Sequence, residues 1–356
     1  MGSDIFMGTT ITKQSFCSAV SNFCDIGCVT DVSETEQGVN TSAIIQTETG
    51  EKYFVKCNTF APSYDVFYSQ PFTLSFLSEE NFSFPTPNIV GYDYSHNPIQ
   101  SEWFMTEYIS GETADISTGD ITTTQAEMVG EILGEINSVS VQGCGVPQTF
   151  TGDAERFENA SEYPYESCSV PSTISFSEES WSTHIKSQMY EFIRTSDSRF
   201  TDLKKDIHDF IETTDVREVS PHLTHFDFWW ENIIWDSFDT KPYIIDWERT
   251  VGGDPVANMR ISEHFMFDTV AIESTQSLDV PFEEQRSTLR EAFRDGYKSS
   301  YTGSECLSLD SETNSLYKMF VYARELRGFP YWWRNKSLEW KQSREVALRS
   351  GINKLL

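Results

Sequence analysis

Two hydrophobic rhythms divide the chain. Short apolar runs dominate its first part. Ala43-Ile44-Ile45-Gln46-Thr47 and Lys52-Tyr53-Phe54-Val55-Lys56 flank Glu48-Thr49-Gly50, which predicts a β-hairpin. Trp103 to Ile109 predicts a further strand running into Ser110-Gly111-Glu112. Phe16, Val20 and Phe23 share one helical face and predict an opening helix over Thr12 to Phe23. Val66-Phe67, Phe72, Leu74 and Leu77 predict another around Pro71. The second part is helical. Met128, Val129, Ile132, Leu133 and Ile136 recur at helical spacing between Thr122 and Val139, with Thr122 to Thr124 as candidate caps. Trp181-Ile185-Met189-Phe192-Ile193 and Phe200-Leu203-Ile207-Phe210-Ile211 repeat that spacing, as do Ile261-Phe265, Leu289-Phe293-Tyr297 and Leu316-Phe320. Residues 150 to 180 lack periodicity and are rich in Ser, Glu, Tyr and Pro, which predicts a long loop or lid.

One stretch breaks both rhythms and carries chemistry. His225-Phe226-Asp227 is followed by Asn232, five residues after the aspartate. Two short apolar runs come next, Ile233-Ile234-Trp235 and Tyr243-Ile244-Ile245, joined by the turn-rich segment from Asp236 to Pro242. This hairpin predicts that Asp246 returns to the same metal as Asn232. An aspartate and an asparagine at this spacing, then a second aspartate after a strand, form the minimal apparatus for Mg-assisted phosphoryl transfer. Asp227 would orient or deprotonate a hydroxyl, while Asn232 and Asp246 would ligate Mg²⁺. Taken singly, Asp227 also fits a turn cap and Asp246 a strand end. Lys56 adds to the picture, because residues 1 to 110 contain no arginine and only Lys13, Lys52 and Lys56. A scarce lysine ending an apolar strand needs an anionic partner.

Composition narrows the partners. The formal charge is −29, which argues against a nucleic-acid partner, since that needs a basic footprint. The acids are spread along the chain and 38% of residues are hydrophobic, so the charge predicts a solvated acidic surface of halophilic kind rather than disorder. The same charge would also suit a cationic substrate. No apolar run is long enough to span a membrane, and the start of the chain lacks the pattern of a secretory signal, so a cytosolic location is expected. Seven cysteines without a C-x-x-C pair predict free thiols rather than disulfides or zinc. The aromatic run Gly328-Phe329-Pro330-Tyr331-Trp332-Trp333 predicts core packing, with stacking on a flat substrate as the alternative.

The segment from His225 through Gly253-Asp254-Pro255 resembles the aminoglycoside phosphotransferase and choline kinase-like family, whose members carry H-G-D-x-x-x-x-N, I-D-[FW]-E and G-D-P in this order. The resemblance implies an α+β, two-lobed, protein-kinase-like fold. An N-terminal antiparallel-sheet lobe (1–110) would bind nucleotide, and a larger, mainly helical lobe (111–356) would carry catalysis and the acceptor. It also implies ATP (or GTP) and Mg²⁺ as cofactors and a small-molecule hydroxyl compound as acceptor. Gly38 and Asn40 fall on the family's nucleotide loop, and Lys56 on its phosphate-binding lysine. Gln70 falls where a glutamate usually pairs with that lysine, and an amide there would still accept a hydrogen bond from it. Backbone groups near Glu107 and Ile109 fall on the adenine-reading hinge. The chain departs from the family at Phe226, where glycine is usual, at Gln70, and at Asn258, which replaces an aspartate that braces the catalytic loop. Two functions follow as expectations: a small-molecule kinase, and a nucleotide-binding protein that has lost transfer.

Overall fold

The computed structural model describes residues 13–24, 26–35, 40–58, 67, 69–93, 102–114, 121–148, 174–177, 180–237, 240–268, 281–303, 311–334 and 336–356. Gly38 and nearly all of the loop expected over 150 to 180 lie outside them. The chain divides into two compact units. One comprises Met1–Glu112, Pro147–Ser175 and Ile234–Glu248, and the other Thr113–Val146, Phe176–Ile233 and Arg249–Leu356.

The first unit is built on an antiparallel sheet. Its strands are β1 (Val29–Thr35), β2 (Thr41–Thr47), β3 (Lys52–Cys57), β4 (Ile89–Asp93) and β5 (Trp103–Glu107), in the order β1-β2-β3-β5-β4. The predicted hairpin is β2–β3, turned at Gly50, whose φ of 87° is open to glycine at no steric cost. Helix α1 (Lys13–Cys24) lays Phe16 and Val20 against Val32, Ala43, Ile45, Val55, Trp103 and Met105, all buried. Helix α2 (Ser69–Glu79) starts two residues before Pro71, so proline occupies the first turn, where its missing N–H costs no helical bond. The strands β10 (Ile233–Trp235) and β11 (Tyr243–Ile244) form the second predicted hairpin and share a small sheet with β6 (Glu112–Thr113).

The second unit is helical. Helix α3 (Thr123–Ser138) begins with a capping box: the Thr122 hydroxyl accepts from the Gln125 amide N–H while the Gln125 side chain accepts from the Thr122 N–H. It packs on α7 (Pro281–Ser300) at close range, because a Cβ on Gly130 would come within 2.0 Å of the Phe293 carbonyl oxygen. Helices α4 (Trp181–Thr195), α5 (Lys204–Thr213), α6 (Pro255–Glu263), α8 (Ser311–Trp332) and α9 (Leu338–Asn353) surround one apolar core. The stripe expected from Phe200 to Ile211 is split, since Phe200 and Leu203 sit on a 3₁₀ segment ahead of α5. The strands β9 (His222–Thr224) and β12 (Val251–Gly253) pair antiparallel. They place the ends of the loop that follows Thr224 beside the start of α6. Two further short strands, β7 (Pro147–Gln148) and β8 (Ser175–Phe176), complete the fold.

Candidate active site

In the second unit the segment after β9 is held from several sides. Phe226 adopts a φ of 45°, a left-handed conformation that favours glycine. Its ring is buried and meets Trp181 and Phe320 edge-on, with centroids 5.7 Å away in each case. Packing of this aromatic side chain therefore offsets the backbone strain where the family has glycine. The bend turns the next residue, Asp227, toward Asn232. The Asn232 Nδ2 group donates to the Asp227 carbonyl at 2.8 Å and to its Oδ2 at 3.3 Å. That orientation leaves Asn232 Oδ1 without a hydrogen bond among the described residues.

The loop is braced from α6 and α3. Asn258 Oδ1 accepts from the His225 backbone N–H at 3.0 Å and from Asn137 Nδ2 at 3.0 Å. The amide thus makes the loop contact for which the family uses an aspartate. His225 is fully buried, and its Nδ1 accepts from the Asp227 N–H at 3.3 Å, a structural use of the ring. Asp254, also fully buried, caps α6 through the Val256 N–H and takes a bidentate bond from Arg217 at 2.7 and 2.6 Å.

Arg324 is the residue that sequence reasoning missed. It lies on α8, buried, and donates from Nη1 to the Phe226 carbonyl at 2.8 Å and from Nη2 to Asp227 Oδ1. Burial alone would push the Asp227 carboxyl up; Arg324, with help from Arg249, outweighs it and holds the carboxyl below its ordinary value. A signal was present. Leu316, Phe320 and Arg324 follow one another at four-residue steps, and a charge on an apolar helical stripe demands a partner.

In the first unit Lys56, near the end of β3, donates to Asp246 Oδ1 at 2.6 Å and to Glu248 Oε2 at 2.8 Å. Burial would lower the Lys56 pKa, but the two carboxylates together outweigh it and hold the ammonium above its ordinary value. Asp246 has a φ of 60°, which its short polar side chain tolerates better than most. The expected contact between Lys56 and Gln70 is corrected here. Gln70 is buried on the first turn of α2 with Oε1 unpartnered among the described residues, and Lys56 bonds instead to two full charges, which outcompete a neutral amide. Glu248 is the glutamate that closes the I-D-[FW]-E pattern, two residues beyond Asp246. Asn40 Oδ1 is buried without a hydrogen-bond partner among the described residues, which do not include Gly38. At the end of β5 the Glu107 N–H donates to the Asn88 carbonyl at 3.1 Å, and the Glu107 carbonyl accepts from Thr106 Oγ1 at 3.0 Å. The backbone groups of Ile109 make no hydrogen bond among the described residues.

The arrangement suits divalent cations by donor type. Lys56, Asp246 and Glu248, all in the first unit, sum to one negative charge, and the two carboxylates offer the oxygen donors that Mg²⁺ prefers. No group of three or more His, Cys, Asp or Glu among the described residues is placed to hold a metal by itself.

Comparison with known proteins turns this geometry into a family assignment. The model of the APH phosphotransferase enzyme family matches residues 38–258, well over half of the chain. The chain belongs to the APH family. Solved structures agree on the fold. The amicoumacin kinase hAmiN, in complex with AMP-PNP and Ca²⁺, is 12% identical with a TM-score of 0.61, over 97% of this chain and 94% of the other. A candidate aminoglycoside phosphotransferase of Ralstonia eutropha JMP134 is 11% identical with a TM-score of 0.60, over 96% and 97%. A thermostable mutant of the aminoglycoside phosphotransferase APH(4)-Ia, with ADP and hygromycin B, is 14% identical with a TM-score of 0.54, over 94% and 97%. No curated protein matches. The α+β, protein-kinase-like fold is therefore that of this APH chain, with its antiparallel sheet in the N-terminal part and its helices in the C-terminal part. No helix among its described residues is long and apolar enough to cross a membrane.

Proposed function

We propose that this APH-family chain is a nucleotide-dependent phosphotransferase that moves the γ-phosphate of ATP or GTP to a hydroxyl of a small molecule. One observation carries the reading. Asp227 is kept ionised and fixed by Asn232 and Arg324 on a strained loop, within a chain whose family transfers phosphate. An ionised, immobile carboxylate can accept or orient a hydroxyl proton without reorganising during the reaction.

Asp227 faces the acceptor hydroxyl in this reading, through the oxygen it shares with Asn232 or the one it shares with Arg324. Asn232 Oδ1 and the Asp246 carboxylate would hold Mg²⁺, with Glu248 beside Asp246. When bound, the metal would neutralise charge on the transferred phosphoryl group. Lys56 changes partners: the α- and β-phosphates would draw its ammonium from Asp246 and Glu248, freeing carboxylate oxygens for the metal. Asn40, with its unpartnered Oδ1, and Gly38 belong to the loop over the phosphates. The backbone groups of Ile109, beyond Glu107, would read the adenine edge. We assign nucleotide binding to 1–110 and the acceptor side to 111–356.

The second reading is a nucleotide-binding protein without transfer. The Arg324 bond to Asp227 favours it, because a carboxylate already neutralised by a guanidinium is a weaker base. Measuring ADP release against a panel of hydroxyl compounds decides between them. Turnover that depends on both Mg²⁺ and an added alcohol supports transfer. Nucleotide binding with no turnover across the panel supports the second reading.

A further inference from the structure

Arg324, Gly328 and Trp332 follow at four-residue steps along α8, so they share one face of the helix. That face begins at Asp227, which Arg324 bonds, and ends at the surface, where Trp332 is 39% exposed. The indole is seated rather than loose. It lies on the Gly328 backbone so closely that a Cβ there would come within 2.5 Å of its fused bond. It also meets Phe265 edge-on at 6.4 Å. The Arg324 guanidinium sits 4.8 Å from the Phe265 ring centre and 5.6 Å from that of Trp332. The other residues of the aromatic run are divided between two uses: Phe329 and Trp333 are buried in the core, whereas Tyr331 and Trp332 are exposed.

Charge on this part of the chain runs against the whole. From Arg324 to Lys354 there are eight basic and only three acidic residues, in a protein of net charge −29. Arg334, two residues beyond Trp332, is exposed and has no ion pair among the described residues. The carboxylate of Asp227 is already answered by Arg324. An ammonium group arriving beside the reacting hydroxyl would meet that guanidinium, whose charge opposes its own.

We propose that Arg324 and Trp332 form the acceptor-side wall next to Asp227, and that this wall selects an alcohol carried on a planar, uncharged ring rather than a polycation. The inference rests on the phosphotransferase reading for the identity of its ligand as acceptor. Trp332 supplies a rigid surface for stacking, held in place because residue 328 has no side chain. Arg324 is a positioning residue: it fixes Asp227 and sets the local charge near zero.

The test measures binding and transfer separately. Three probes are titrated by ligand-observed NMR: 2-(2-naphthyl)ethanol, 2-cyclohexylethanol as its non-planar match, and kanamycin as the polycation. The naphthyl probe is expected to bind tightest and kanamycin weakest. Trp332→Ala should weaken the naphthyl probe roughly three- to tenfold, the scale of one aromatic stacking contact, and Gly328→Ala should act in the same direction by displacing the indole. Trp332→Phe should restore most of the affinity and guards against a folding defect. Arg324→Gln should raise kanamycin affinity, which a purely structural loss would not do. Kanamycin binding tighter than the naphthyl probe, or naphthyl affinity unchanged in Trp332→Ala, overturns the proposal. Trp332-dependent binding of the naphthyl probe without phosphate transfer to any alcohol upholds the wall and overturns the phosphotransferase reading instead.

Discussion

Phe226 and Asp246 are the two non-glycine residues with positive φ among those described, and both lie in the expected catalytic segments. Their strain is held by different means. Phe226 is fixed by aromatic packing, so Phe226→Gly would relax the backbone yet empty a buried site. Deleting a large buried side chain costs about 3–5 kcal/mol, against about 1–2 kcal/mol for a left-handed residue. A net loss of about 1–4 kcal/mol is therefore expected in a denaturant titration of Phe226→Gly. At Asp227 the outcome is chemical. Asp227→Asn should keep nucleotide affinity, measured by calorimetry, and lose transfer by about 10²–10⁴-fold, the span of general-base and orienting effects. Unchanged turnover would remove Asp227 from its proposed role.

Elements decide how such residues are held. Asn258 on α6 accepts two hydrogen bonds on one oxygen, and an aspartate can accept the same two. Asn258→Asp keeps those two bonds but gives up the Nδ2 donation to Ser262 Oγ at 3.4 Å and sets a carboxylate in a fully buried site, so its melting temperature should fall below that of wild type. Asn258→Ala strands the His225 N–H and one N–H of Asn137 Nδ2, whose other bond to the Leu223 carbonyl remains, at about 1–3 kcal/mol for each unsatisfied group, and its melting temperature should drop clearly below that of wild type. A second buried network ties α6 to α8 and α9. His264, on a π-helical turn spanning His264–Asp268, lies 3.2 Å from Glu325, which takes a bond from Arg344 at 2.6 Å. Burial would lower the His264 pKa, but Asp268 and Glu325 overcome it and raise the imidazole above its ordinary value. Burial likewise raises Asp268, and His264 and Arg290 bring it down to about 2. A raised histidine contributes stability that is full below its unfolded pKa of about 6.5 and is lost as pH rises through the folded value. A depressed aspartate contributes above about 3.9 and is lost as pH falls toward its folded value. The network should hold best between those limits. Melting curves of wild type and His264→Asn should differ most near pH 5.5 and converge as pH rises through the folded His264 value.

At the scale of the whole molecule, charge is the dominant property. With 55 acidic against 26 basic residues, folding gathers like charge that the unfolded chain spreads out. The screening length falls from about 10 Å at 0.1 M ionic strength to about 3 Å at 1 M. Exposed ion pairs such as Lys205–Asp209 contribute little and lose little over that range. We expect the melting temperature to rise from low salt to molar KCl at fixed pH, with sucrose as a non-ionic control. A flat or falling series would reject the halophilic reading of the surface.

The spacing Asp227–Asn232–Asp246, the lysine ending β3 and the two hydrophobic rhythms were legible in the sequence because each is a local pattern: a loop length, a strand period, a helical stripe. They determined the family and the order of elements. Local pattern could not show which charges meet. Gln70 was a reasonable partner for Lys56 by position along the chain, yet Asp246 and Glu248, 190 and 192 residues away, hold it. Arg324 is 97 residues from Asp227, and only folding of α8 brings its guanidinium to the carboxylate. Asn258 reads as a lost brace in the sequence and acts as one in the structure, because hydrogen bonding at that position asks for an oxygen and not for a charge. Local steric rules write the elements into the sequence, whereas the pairing of buried charges is settled by whichever partner the tertiary fold leaves within reach.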